Sequence, residues 1–204
     1  MKVALIGASG NVGQRLLAEL LNRGHEVTGI VRHPEKLPPR EGLTAQRGDV
    51  NDEAGLAPLL GGHEAVISAV KFQSANPQSL IGAVKRAGVR RLLVVGGAGS
   101  LEVSPGVQLV DTPDFPEAYK PEALAGRDFL NVLRGERELD WSFLSPAALF
   151  VPGERTEKFR LGTDRLLVGA HGESKISMED YAIALVDELE TPRHSRQRFT
   201  VGYW

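Results

Sequence analysis

The sequence predicts an α/β fold, a doubly wound parallel sheet with a small C-terminal substrate lobe. Three observations carry that expectation. Short apolar runs alternate with stretches of helical periodicity across the first two-thirds of the 204 residues, the pattern of βαβ units. The runs are almost continuously apolar, as suits strands covered on both faces. A glycine-rich turn at residues 7–13 joins the first run to the first helical stretch.

Val3–Ile6 is a compact apolar strand ending at Gly7. From Asn11 onward Val12, Leu16, Leu17, Leu20 and Leu21 recur at helical spacing, and Gly24 stands just past them as a stop. Glu26–Val31 is the second strand, followed by a loop holding Pro34, Pro38 and Pro39. Leu43–Arg47 is the third strand, and Glu53–Leu60 a short helix whose end Pro58 disturbs. Ala65–Val70 is the fourth strand, Pro77–Ala87 a helix closed by Gly88, and Arg91–Val95 the fifth strand. Pro121–Arg134 is a further helix and Asp140–Leu144 the sixth strand. Right-handed crossovers between such strands wind the sheet in both directions.

The last quarter reads differently. Lys158–Val168 is expected to form two short strands turning at Gly162-Thr163-Asp164. Ser177-Met178-Glu179-Asp180 opens a helix like a capping box, with Asp180 reaching back, and Phe199–Val201 is a final edge strand. Residues from about 150 to 204 are therefore expected as a substrate-side lobe within one domain, a size at which one core suffices.

Composition excludes several function classes. The 24 Lys+Arg against 26 Asp+Glu leave a net charge of −2, so nothing draws the chain to nucleic acid or an anionic membrane. The absence of cysteine rules out disulfides, thiol catalysis and Cys-based metal sites. The N-terminal apolar run stops after four residues, too short for a signal peptide core, and no membrane-length apolar stretch follows. The histidines at 25, 33, 63, 171 and 194 lack ligand spacing, and neither G-x-S-x-G nor G-x-x-x-x-G-K occurs. The expectation is a cytoplasmic monomer or homodimer acting on a small molecule, with no metal, nucleic acid or membrane partner.

Gly7-Ala8-Ser9-Gly10-Asn11-Val12-Gly13 is weak evidence by spacing alone, but its place between a strand and a helix makes it specific. The first glycine permits the tight turn, the next lets a pyrophosphate approach the backbone, and the third lets helix pack on strand. Ser9, Asn11 and Val12 complete the turn, and the helix N-terminus offers free N–H donors to phosphate. A dinucleotide site is the expectation.

The end of the second strand, about 20 residues beyond the glycines, selects the dinucleotide. NAD sites place a carboxylate there for the ribose 2′-hydroxyl, whereas this chain has Arg32, followed by His33 and Lys36. A guanidinium grips a 2′-phosphate through paired, charge-assisted hydrogen bonds, so NADP(H) is expected over NAD(H). A solvated basic loop is the competing reading. Asp49 and Val50, after the third strand, are candidates for the adenine amino group and ring; equally, Asp49, Asn51 or Asp52 caps the next helix. Ala69, Val70 and Lys71 end the fourth strand beside the expected cofactor path.

Together these landmarks resemble the atypical short-chain dehydrogenase/reductase families, the NAD(P)-binding group that includes NmrA-like proteins and NAD(P)H–flavin reductases. The resemblance rests on Gly7–Gly13, Arg32, Gly48–Asp52, Val94–Ser100, Leu144-Ser145-Pro146-Ala147 and Ile176–Ala182. It implies a Rossmann-like fold and cofactor contacts at Gly97, Pro146 and Ala147.

One departure bears on mechanism. Fully equipped members of the wider superfamily carry Tyr-x-x-x-Lys, in which the Lys lowers the Tyr pKa for proton exchange with a carbonyl. Here Ala123 stands four residues after Tyr119, Leu185 four after Tyr181, and Tyr203 is penultimate. Lys120 adjoins Tyr119 but would sit about 100° away on a helix. Tyr119 and Ser100 remain as candidate orienting groups; the plainer readings are an aromatic at a helix entrance and a turn former. Conjugated acceptors need no obligatory acid, so the expected reaction is hydride transfer from NADPH to a flavin, quinone or similar acceptor. The alternatives are a non-catalytic, NmrA-like NADP-binding redox sensor and a sugar-nucleotide epimerase or dehydratase.

Overall fold

The computed structural model describes residues 1–204. In chain order its elements are β1 (Lys2–Ile6), α1 (Asn11–Asn22), β2 (Glu26–Val31), β3 (Leu43–Arg47), α2 (Glu53–Leu60), β4 (Ala65–Ser68), α3 (Pro77–Arg86) and β5 (Arg91–Val95). There follow β6 (Glu102–Ser104), β7 (Val107–Gln108), α4 (Lys120–Arg134), β8 (Asp140–Ser145), β9 (Leu149–Val151), β10 (Arg160–Gly162), β11 (Lys175–Ser177), α5 (Met178–Glu190) and β12 (Gln197–Gly202). Eight strands form the central sheet in the order β10-β12-β8-β5-β4-β1-β2-β3. All of its pairings are parallel except β10 with β12.

Strand periodicity divides the core. Val3 and Leu5 of β1 point to a layer built by α1 and α5, where Leu16, Leu17, Leu20, Leu185 and Leu189 are buried. Ala4 and Ile6 point the other way, to Leu56, Leu80, Val84, Phe129 and Leu133 of α2, α3 and α4. Each layer joins 23 buried residues, so the sheet is covered on both faces and the continuous apolar runs are explained.

Local chemistry sets the helix ends. Asp52 Oδ1 accepts from Gly55 N at the start of α2, and Asn76 Oδ1 from Ser79 N at the start of α3, where Pro77 takes the first helical position. Gly24, at φ +82, turns the chain after α1. Pro58 does not end α2, which runs on to Leu60. No helix is long and apolar enough to cross a membrane.

Several expectations are corrected. The fourth strand ends at Ser68, and residues 69–71 leave the sheet. Residues 158–168 form no hairpin: β10 pairs instead with β12, with Leu161 opposite Val201, while Arg165 bridges to Glu102. The free side of β12 supplies a long-range partner that a local turn signal does not reveal. β12 is accordingly no edge strand; it is flanked by β8 and β10, and Phe199, Thr200 and Val201 are fully buried.

Only half of the expected capping box forms. Ser177 Oγ accepts from Asp180 N, but the Asp180 carboxylate accepts from Glu157 N and Thr156 Oγ1 instead of reaching back. The last quarter is also more than a lobe. α5 buries ten of its 13 residues and β12 and β10 extend the sheet, so of the strands in this quarter only β9 and β11 lie outside it, as a separate pair. Arg91, at the start of β5, ties α5 down through Glu188, with Nη2 3.1 Å from Oε2.

Candidate functional site

From β1 the chain winds outward through β2 and β3, then returns to β4, β5 and β8 on the other side. The reversal opens a crevice at the carboxyl ends of β1 and β4, the position where doubly wound sheets bind ligands. A groove of about 490 Å³ lies there, lined by the glycine turn and residues 30–32, 48–51 and 69–71.

The three glycines do different work. Gly7 sits at φ +85, and a Cβ on it would come within 3.0 Å of the Ala69 backbone. A Cβ on Gly13 would stand 2.0 Å from Gly7 O, so this glycine lets α1 pack onto the turn. Gly10 differs: its φ of −74 suits any residue, and a Cβ would meet only Gly7 O, at 3.6 Å. The space over Gly10 is thus open to a ligand. α1 has no side-chain cap and no acidic residue in its first turn, which leaves its N–H groups and positive end for an anion. Ser9 lines the groove and its carbonyl accepts from Gln14 Nε2, exposed Asn11 begins the helix, and half-buried Val12 packs on the core.

Arg32 leaves the end of β2, exposed and without an ion pair. Beside the groove lies a second hollow of about 490 Å³ with no apolar lining, formed by Arg32, His33, Arg47, Gly48, Asp49, Asp52 and Gly55. Arg47 is a residue the sequence reading missed. The parallel register sets Val31 opposite Arg47, which brings Arg47 to the same hollow as Arg32; a basic residue closing the third strand was the available signal. Asp49 Oδ1 accepts from Asn51 N and shapes the turn, whereas Asp52 is the helix cap. Asn51 joins the loops after β3 and β4, donating to Ser74 O and accepting from Asn76 N. Val50 is buried beneath them.

Lys71 lines the groove, and the next residue, Phe72, lines a cavity of about 740 Å³ over the ends of β5 and β8. Gly96, Gly97 and Gly99 form one wall, Pro146, Ala147 and Phe150 another, and Leu109, Phe115 and Tyr119 the outer side. A Cβ on Gly96 would lie 2.4 Å from the Phe143 ring, and one on Gly99 2.9 Å from Ala123. Only glycine lets these elements close so tightly. Glu122 of α4 accepts from Phe72 N at 2.8 Å and Gln73 N at 2.9 Å, fixing the turn that carries Phe72. Sequence patterning missed Glu122, Phe115 and Phe150 because their roles depend on segments distant in sequence that meet at the sheet end.

The two orienting candidates separate. Tyr119 stands at the rim of the cavity, 67% exposed. Ser100 is corrected: it is buried, outside the lining, and its Oγ accepts from Arg198 Nη1 at 2.9 Å. Arg198, on β12, also donates to Ser145 Oγ and Ser100 O, so Ser100 anchors the glycine loop from behind. No tyrosine gains a lysine partner. Lys120 pairs with Glu117 at 2.9 Å, and Tyr203 donates to Asp180. Tyr181 is buried and donates to Leu144 O at 2.6 Å, and desolvation pushes its phenol well above the ordinary range.

Comparison with known proteins agrees with this geometry. The family model described as NAD(P)H-binding matches residues 7–192. The uncharacterized protein YwnB of Bacillus subtilis is 43% identical over 98% of both chains. A solved structure from Bacteroides thetaiotaomicron, provisionally described as an epimerase, is 48% identical with a TM-score of 0.94, covering 99% of this chain and 96% of that one. Another, from Streptococcus pneumoniae and provisionally described as an NADH-flavin reductase, is 37% identical with a TM-score of 0.83 over the whole of both chains. The matched span runs from the glycine turn through the residues that line the groove and the cavity to the end of α5, and the chain belongs to the NAD(P)H-binding family.

Proposed function

We propose that this protein is a cytoplasmic NAD(P)H-dependent oxidoreductase that prefers NADPH and reduces a flavin, quinone or similar conjugated small molecule. The observation that carries the reading is the apolar cavity of about 740 Å³ beside the dinucleotide groove, with no Tyr/Lys acid–base pair in it. The description of the Streptococcus pneumoniae protein as an NADH-flavin reductase supports it.

The residues present fit a dinucleotide: open space over Gly10, an uncapped helix start, and two unpaired arginines at the ribose end. When bound, NADPH supplies a hydride which, with one proton from water, gives the dihydro acceptor and NADP⁺. The protein's own part is to bind and orient. Gly7, Gly10 and the start of α1 hold the pyrophosphate, and Arg32 with Arg47 holds the 2′-phosphate. Gly97, Pro146 and Ala147 wall the site where the acceptor meets the cofactor, while Phe115, Phe150 and Tyr119 offer flat surfaces to a ring system and keep water out. An isolated ketone would build charge on one oxygen and need a placed proton donor; a flavin or quinone spreads that charge. The epimerase reading suggested by the Bacteroides protein is disfavoured by the same missing acid–base pair.

Steady-state oxidation of NADPH, with and without added riboflavin or menadione, tests the assignment. Turnover is expected; its absence with every conjugated acceptor would favour a non-catalytic NADP sensor. For cofactor choice, Arg32→Ala is expected to weaken NADPH by about 1.5–3 kcal/mol, the scale of a hydrogen bond to a charged group, and to leave NADH nearly unchanged. Equal losses for the two nucleotides by calorimetry would remove Arg32 from the 2′-phosphate site. Tyr119→Phe is expected to lower kcat by about tenfold or less, as for a group that orients a ring. A loss of a thousandfold or more would make the phenol an obligatory acid.

A further inference from the structure

The acceptor cavity carries carboxylates and no cation. Its charged lining residues are Asp114 and Glu122, and no Lys, Arg or His reaches it. Glu122 is half-buried, its oxygens taken by Phe72 N and Gln73 N, with no ion pair. Asp114 is exposed at the rim and also unpaired. The cations nearby are already engaged, Lys120 with Glu117 at 2.9 Å and Arg127 with Asp111 at 2.8 Å. Lys71 lines the cofactor groove and not this cavity.

The remaining polar side chains of the cavity, Thr112, Ser174 and Tyr119, are hydroxyls that carry no positive charge. Thr112 Oγ1 donates to Leu109 O, and Ser174 Oγ accepts from Ala148 N. Two unneutralised carboxylates beside low-dielectric walls repel a phosphate tail and leave a neutral ring system unaffected.

We infer that the acceptor is an uncharged, non-phosphorylated conjugated ring, riboflavin-like or a neutral quinone, and that FMN and FAD are disfavoured by Asp114 and Glu122. The inference rests on the reductase reading and narrows it. Riboflavin and FMN share one isoalloxazine, so any difference between them reports on the phosphate and not on redox chemistry.

The test uses the full chain with NADPH and compares kcat/KM for riboflavin, FMN and FAD at low and high salt. Binding of riboflavin and FMN in the presence of NADP⁺, followed by flavin fluorescence, gives a readout independent of turnover. Riboflavin is expected to exceed FMN by about tenfold at low ionic strength, with the gap closing in about 0.5 M salt as charges are screened. Asp114→Asn is expected to narrow the ratio. FMN bound and reduced as well as riboflavin, or a ratio insensitive to salt and to Asp114→Asn, would overturn the neutral-acceptor inference and leave the reductase reading intact. No turnover with any of the three or with menadione would overturn both.

Discussion

Gly10→Val is expected to abolish dinucleotide binding while the protein stays folded. At φ −74 the valine backbone is unstrained, and the space its side chain enters holds only Gly7 O at 3.6 Å from the Cβ position. That space is the one a pyrophosphate needs to reach the N–H groups of the turn and of α1. Calorimetry with NADPH is expected to register at least a hundredfold loss, about 2.7 kcal/mol, with an unchanged urea midpoint. Gly13→Ala supplies the contrast. Its Cβ would fall 2.0 Å from Gly7 O, so the strand–helix junction itself must move and the urea midpoint is expected to drop. Undiminished affinity in a folded Gly10→Val protein would place the nucleotide elsewhere.

Arg91→Met is expected to cost about 3 kcal/mol of stability, the lower end for breaking a buried ion pair. Glu188 is 3% exposed, and Arg91 Nη2 lies 3.1 Å from its Oε2 while Nη1 bonds Ser142 Oγ at 2.8 Å. Removing the guanidinium strands a carboxylate between α5 and the sheet. The loss stays at the lower end because Glu188 still accepts from Arg193 N, His194 N and the His194 ring. Urea denaturation measures the change through the midpoint at constant m. Arg91→Met combined with Glu188→Leu is expected to regain part of the loss, since an apolar pair replaces a charged one. A single-variant cost below about 1 kcal/mol would show that solvent reaches the pair.

Much of this molecule follows from local signals. The run from Val3 to Ile6, the helical spacing of Leu16, Leu17 and Leu20, and the caps at Asp52 and Asn76 are short-range features. Seven of the eight sheet strands and the five helices could be read from such signals, because strand burial and helix periodicity repeat within a few residues. The glycine turn was legible for the same reason: its three roles lie within seven positions. Arg32 was legible because its place after β2 is counted along the chain.

What the chain order cannot encode locally, tertiary structure decided. β10 sits at the edge because β12, some 40 residues later, offers it a partner, and the local turn signal at Gly162-Thr163-Asp164 pointed to a nearer one. Ser100 stood as a candidate orienting group in a glycine loop, but Arg198 arrives from 98 residues away to claim its hydroxyl. Arg47 joined the hollow beside Arg32 only when β3 took its register beside β2. The apolar cavity is the strongest case: Phe72, the segment from Phe115 to Tyr119 and Phe150 of β9 come from three separate parts of the chain that converge at one sheet end. Local patterning thus set which segments are strands and helices and where the glycine turn falls. Long-range pairing set the edge strand, the fate of Ser100 and the shape and charge of the apolar cavity, because each depends on groups distant in sequence meeting in space.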